Sequence, residues 1–325
     1  MLAAYVEIPD FDDPLNALKV GERPHPVSKP GQVRVRIEAA SLNRHDLWTL
    51  RGVTQHPPLP LPMILGCDGA GSLEDGTPVV LYPGIGDPDW RDEETLDPSF
   101  NVLSELHQGT MADYIVVPER CVLKRPAELS AVEAAGLGTA WLTAYKMLFV
   151  NSGLVPGQLM LVQGASGGVS TALVQLGRAA GFEVWVTGRS AEKRALAARL
   201  GAHQVFEAGA DLPRRVDAVF DTVGEATWAH SLQWVKRGGR IVLAGRTSGK
   251  DPPADLRRLF IEQITVQGSV LGTLADMRNL VRFVVNAGIR PEIGVVLPLD
   301  RAKEGFRAMW EGKTAGKTIF TGQVA

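Results

Sequence analysis

The chain has 325 residues, more than one average domain, and enough apolar sequence for two cores of ordinary size. At 45% hydrophobic and 22% charged, with a formal net charge of −2, it offers no electrostatic case for nucleic acid or an anionic membrane as partner. Its two cysteines, Cys67 and Cys121, exclude a disulfide framework and a cysteine-built metal cluster, and they fit a reducing compartment.

The opening segment, MLAAYVEIPDFDDP, turns acidic by Glu7 and lacks the basic start of a signal peptide. The most apolar long stretch, 131–150, carries Glu133 and Lys146 and falls short of a membrane span, so a cytoplasmic enzyme is expected. Residues 1–125 read as β-rich. The alternation VRVRIEA at 33–39 predicts a half-exposed strand of an antiparallel sheet. A short helix is expected at 44–51 and strands at 77–82 and 112–117. Between those strands lies an acidic loop, 83–110, of a length that is usually functional or mobile. A helical region begins near 127, where Ser130 and Glu133 have the spacing of a capping box.

The rest of the chain is organised around 158–202. Residues 159–163 are a short apolar run bounded by glycine, which predicts a buried parallel strand. The turn Gly164, Ala165, Ser166, Gly167, Gly168 follows, then a helical pattern through Val169, Ala172, Leu173 and Leu176, a stop at Gly181 and a second strand at 182–186. In such a βαβ unit the turn backbone and the positive helix end receive a pyrophosphate, with Ala165 to Val169 as the contacting segment. The G-x-G-x-x-G fingerprint falls on Ala165, Gly167 and Ser170, so only the middle glycine, the one that lets phosphate approach, is kept. The carboxylate that would hold the ribose 2′-hydroxyl of NAD belongs about 20 residues further on. The chain has Gly188, Arg189, Ser190 and Lys193 there: no acid, two cations and a hydroxyl, which predicts NADPH. Ser190 can serve as a helix N-cap at the same time.

Further strands are expected at 204–207, 216–221, 240–244 and 264–269, with helices between. Six such runs make an α/β, doubly wound parallel sheet. Helices at 274–287 and 300–311 and a strand at 318–321 complete the chain.

Eight segments then fall in a familiar order: SLNRHDLWTLRG (41–52), MILGCDGAG (63–71), GTMADYIVVPE (109–119), AAGLGTAWLTAY (134–145), the QGASGGVS turn, VFDTVGEATW (219–228), GGRIVLAG (238–245) and AGKTIF (315–320). Together they resemble the medium-chain dehydrogenase/reductase superfamily over nearly the whole chain, and within it the zinc-independent, NADPH-using quinone oxidoreductase branch. The resemblance implies a Rossmann dinucleotide-binding domain at 126–272 inserted into a β-rich, GroES-like catalytic domain at 1–125 and 273–325. It also implies a homodimer formed by extension of the central sheet.

Catalytic zinc in the alcohol dehydrogenase branch needs three Cys or His ligands and an open position. The matching positions here are Asn43, Cys67 and Ala135, and the loop corresponding to that branch's structural zinc has no cysteine, so no metal is expected. Asn43 then donates to a substrate carbonyl or cofactor amide, or makes an Asx turn. His45, placed where the zinc branch has its proton-relay hydroxyl, is an acid or a solvent-facing histidine at a helix start. Trp48 covers the substrate cleft or belongs to the core, and Asp46 orients backbone. Thr139 contacts nicotinamide or bonds its own helix. Val223, Gly245, Arg246, Leu271, Gly272 and Thr273 lie at carboxyl ends of strands, where the family lines the nicotinamide half. Lys317 reaches the cofactor from the catalytic domain or is a surface lysine.

The expected activity is zinc-independent hydride transfer from NADPH to a small-molecule quinone, enone or related electrophilic carbonyl. An enoyl-thioester reductase, an alcohol dehydrogenase-like enzyme and a non-catalytic NADPH-binding module are the alternatives.

Overall fold

The six apolar runs from 159 onward become six strands because each core run is short and bounded by glycine or polar turns. The structure, a computed structural model, describes residues 1–54 and 56–322. It contains two compact units, Met1–Ala140 with Gly272–Ala325, and Trp141–Leu271. The first boundary falls later than the expected 125/126, because the helix Ala131–Ala135 packs on the strands Gln32–Ser41 and Asp68–Ser72 of the first unit.

The unit Trp141–Leu271 is an all-parallel sheet in the order Gln204–Glu207, Glu183–Gly188, Leu159–Gln163, Val216–Asp221, Val235–Leu243, Thr265–Gly268. Successive strands step outward in one direction from Leu159–Gln163 and then in the other. The crevice at the carboxyl end of that strand is therefore the switch point where open α/β sheets bind ligands. Leu161, Trp185, Val219 and Ile241 fill one face of the sheet with Leu232. The helix Gly168–Ala179 lies close against the sheet at Gly177, where a Cβ would come 2.7 Å from Met160 Sδ.

In the other unit, Gln32–Ser41 is the hub of an antiparallel sheet, pairing with Asp68–Ser72, Tyr114–Pro118 and Lys317–Thr321. The strand Ile293–Pro298 lies parallel to Lys317–Thr321. A second small sheet joins Leu18–Glu22, Leu2–Val6 and Met63–Ile64. Leu2–Val6, Leu18–Glu22 and Ile293–Pro298 are strands that no sequence pattern announced. Ser130 caps Ala131–Ala135 with Glu133 in the expected box. Beyond it the chain winds through widened turns at Leu137–Trp141 and Lys146–Asn151, and Gly138 leaves the helix at ψ −116°. None of the described helices is long and apolar enough to cross a membrane.

Candidate active site and cofactor site

Asp68 stands at the centre of the catalytic-side unit. The register pairs Ser41 with Asp68 on one side and with Ile319 on the other, so residues adjoining these rungs meet under one roof. Asp68 is fully buried. Its Oδ2 accepts from Ser41 Oγ at 2.9 Å and Asn43 Nδ2 at 2.8 Å. Its Oδ1 accepts from Thr139 N and Thr139 Oγ1, both at 2.6 Å. A Cβ on Gly138 would lie 2.2 Å from Asp68 Oδ1, so this approach requires glycine there. Lys317 is buried as well, its Nζ 3.7 Å from Asp68 Oδ2 and donating to Asn43 Oδ1 at 2.6 Å and Leu42 O at 3.1 Å. Burial lowers the Lys317 pKa, with Asp68 pulling the other way.

This network revises several readings. Asn43 directs its amide hydrogens at Asp68 and Ser41 O, and it is also the N-cap of the helix Arg44–Leu50, where Asp46 Oδ2 takes its main-chain N–H. Thr139 gives its hydroxyl proton to Asp68 and bonds no carbonyl of its own helix, which leaves lone pairs for a donor on a ligand. Lys317 is a core residue. Asp46 orients backbone as expected, its Oδ1 accepting from Gly66 N at 2.8 Å, and burial holds its pKa up at about 7. Asp68 itself escaped the sequence reading, where its one trace is an acid inside the apolar, glycine-rich run 63–71.

The His45 side chain is partly exposed at its helix start. Its Nε2 is buried, 3.9 Å from Oε1 of the buried Glu105, and burial lowers its pKa against the pull of Glu105 and then Asp68. Trp48 is half-buried, with the Arg51 guanidinium 5.1 Å over its ring and 4.0 Å over Phe11. The acidic loop serves its own unit: Glu94 joins Arg120 at 3.0 Å and accepts from Leu274 N at 2.9 Å, while Tyr82 donates to Gly272 O at 2.9 Å. Gly272 and the helix cap Thr273 are thereby held in place.

A zinc ion does not fit the matched positions. Asn43 is committed, Ala135 has no donor atom, and the Cys67 thiol, pushed well above its ordinary pKa by burial, points to Leu103 O at 3.2 Å. Among the described residues no three His, Cys, Asp or Glu side chains gather as metal ligands.

The dinucleotide crevice does fit its cofactor. Gly164 takes φ +90° to turn out of the strand Leu159–Gln163, and Ala165 and Ser166 are buried in the turn. Gly167 is the N-cap of Gly168–Ala179, and a Cβ there would meet nothing nearer than Ser170 Oγ at 3.9 Å, so the approach beside Val169 is open. Gly188 ends the next strand, where a side chain would strike Ala165 Cβ at 2.8 Å; Arg189 beyond it is exposed. Ser190 caps the following helix by accepting from Lys193 N. Arg194, overlooked in the sequence, donates to Gly188 O at 2.8 Å and meets Glu207 at 3.0 Å. Val223 is positioned by Asp221, whose Oδ1 accepts from Val223 N at 2.8 Å and Gly224 N at 3.0 Å. Gly245 must be small, 2.7 Å being the reach of a Cβ to Thr222 O. Arg246 is exposed, and Leu271 is buried at φ +45°. Thr139, Gly272, Thr273 and Lys317 belong to the other unit.

A switch-point crevice with an open glycine turn, carried on a chain with a second β-rich unit, defines a dinucleotide-binding oxidoreductase. Residues 29–127 match the alcohol dehydrogenase GroES-like domain, and residues 168–286 the zinc-binding dehydrogenase family. A zinc-type alcohol dehydrogenase-like protein of Schizosaccharomyces pombe is 30% identical, over 89% of this chain and 90% of its own length. The 2-methylene-furan-3-one reductase of Solanum lycopersicum is also 30% identical, over 90% of this chain and 72% of its own. A solved NAD-dependent alcohol dehydrogenase superposes with a TM-score of 0.92 at 32% identity, covering 99% of both chains. The chain belongs to the medium-chain dehydrogenase/reductase superfamily, oxidoreductases whose fold binds a nicotinamide cofactor.

Proposed function

We propose that this oxidoreductase is zinc-independent and uses NADPH to reduce a quinone, an enone or a related electrophilic carbonyl. The observation that carries the reading is the donor set at the three matched positions: Asn43 bonded to Asp68 and Lys317, Ala135 without a donor, the Cys67 thiol turned to Leu103 O. Reduction of an isolated carbonyl builds a strongly basic alkoxide that calls for a potent electrophile. Hydride addition to a quinone or enone instead leaves a delocalised phenolate or enolate, which a modest acid such as His45 can protonate. The tomato relative is named for an enone of this kind.

NADPH, when bound, supplies the hydride. Ala165 to Val169 would hold its pyrophosphate, and Arg189, Ser190 and Lys193 its 2′-phosphate. Asn43 would act by holding Lys317 and Asp68, and Asp68 by fixing the Thr139 hydroxyl. An NAD-dependent alcohol dehydrogenase is the second reading, favoured by the 32% identical structure.

Oxidation of NADPH and NADH against benzoquinone, naphthoquinone, a simple enone, an aldehyde and crotonyl-CoA, with and without chelator, separates these. Chelator-resistant turnover of quinone or enone with NADPH is the expected result. Chelator-sensitive aldehyde reduction with NADH would establish the second reading, and NADPH binding without turnover would mean a non-catalytic module.

A further inference from the structure

Buried polar atoms in folded proteins nearly always have partners. His45 Nε2, Ser104 Oγ and Glu105 Oε2 are three that have none, and they belong to one neighbourhood. Thr49 Oγ1 ties the two segments together, lying 3.3 Å from His45 O and 3.4 Å from Ser104 O. Ser104 sits at φ +73°, a left-handed conformation rarely held by a non-glycine residue and most often found where function demands it. It is kept there by its N–H on His107 O at 2.8 Å, and the turn carries Glu105 to the inside.

The Glu105 side chain is 4% exposed and that of His45 21%, so the imidazole reaches the surface while Nε2 faces the carboxylate. A carboxylate behind an imidazole whose other edge is open is the arrangement by which proteins orient a proton-transferring histidine. The 3.9 Å separation is longer than a hydrogen bond but within the range of an ion pair, and catalytic contacts are often long before the productive complex forms.

We propose that Glu105 is a positioning residue for His45, and that the pair delivers the proton that completes reduction of the electrophilic carbonyl. This rests on the reductase reading above. Hydride supplied to the substrate carbon by a bound nicotinamide would leave an electron pair on the carbonyl oxygen. An imidazolium N–H bond then breaks, its electrons stay on the ring, and a new O–H bond forms on the substrate. Water restores the proton to His45, which undergoes no redox change. Glu105 and the more distant Asp68 are the charged groups acting on His45, and both favour imidazolium.

The experiment compares wild type, Glu105→Gln and Glu105→Asp, with His45→Gln to assign the resonance. The His45 titration is followed by NMR on the cofactor-free protein, and the pH profile of kcat is measured on the best substrate of the panel. Glu105→Gln should lower the His45 pKa by about 1–2 units. It should move the fall of kcat at high pH to lower pH by the same amount, with KM for NADPH unchanged. Glu105→Asp should restore both in part. An unmoved His45 titration overturns the positioning role. A moved titration with an unmoved kcat profile overturns the proton delivery while leaving the reductase reading intact. A moved titration in Glu105→Gln together with a wild type that turns over no substrate overturns the reductase reading, and proton delivery with it.

Discussion

Asp46 takes main-chain N–H groups on both carboxylate oxygens, yet burial still raises its pKa from 3.8 to about 7. The folded state thus holds this proton more tightly than the unfolded chain does. The corresponding stability is full below the unfolded value and is lost as pH rises towards about 7. Three pKa units correspond to roughly 4 kcal/mol. Asp46→Asn cannot ionise, so wild type should lose stability relative to it as pH climbs from about 4 to about 7, read by urea unfolding along the pH series. The variant carries its own nearly constant cost of about 1–3 kcal/mol, because an amide NH₂ would face one of the two N–H donors. Parallel stability curves would mean that Asp46 ionises normally. For Arg189, Arg189→Ala should weaken NADPH by about 1.5–3 kcal/mol, the scale of a charged hydrogen bond, and leave NADH nearly untouched. Equal losses in a binding titration of both cofactors would remove Arg189 from the 2′-phosphate. Arg189 could be named from its position alone, since a strand end is a local feature. Asp68 and Glu105 could not, because their partners lie tens of residues away along the chain.

At the scale of the element, the strand Leu159–Gln163 with its turn separates two kinds of glycine. Gly164 is needed for its φ of +90°, a conformation costly to any residue with a side chain. Gly167 lies at an ordinary negative φ with open space where a Cβ would be. Gly164→Ala should therefore cost about 1–3 kcal/mol of stability. Gly167→Ala should change stability by less than about 1 kcal/mol while cutting NADPH affinity at least tenfold, since the added methyl occupies the approach of the pyrophosphate. Thermal melts with and without NADPH check both, and a Gly167→Ala protein with unimpaired binding would contradict the placement of the phosphate. This element was legible because its signals are local. The strands Leu2–Val6 and Ile293–Pro298 were not, since a strand this short owes its shape to the neighbours it pairs with.

The whole molecule presents an unpaired edge on the parallel sheet, the strand Thr265–Gly268, with Val266 40% exposed and Phe260 on the preceding helix 68% exposed. Open edges flanked by exposed apolar side chains invite pairing with another strand. We expect a homodimer joined there. Val266→Lys combined with Phe260→Glu should give a monomer by sedimentation velocity with its fold intact by circular dichroism. A wild type that is already monomeric at micromolar concentration would exclude that dimer.

The sequence by itself determined the α/β class, the existence of six parallel strands and the place of the dinucleotide turn. Each of these is written in contiguous periodicity and in glycines whose freedom is a property of one residue. Only the tertiary structure decided what surrounds the reacting end. Ser41, Asn43, Asp68, Thr139 and Lys317 converge because sheet register sets three distant strands side by side. Burial there then sets which carboxylates, amines and imidazoles hold their protons, and no local pattern encodes that environment.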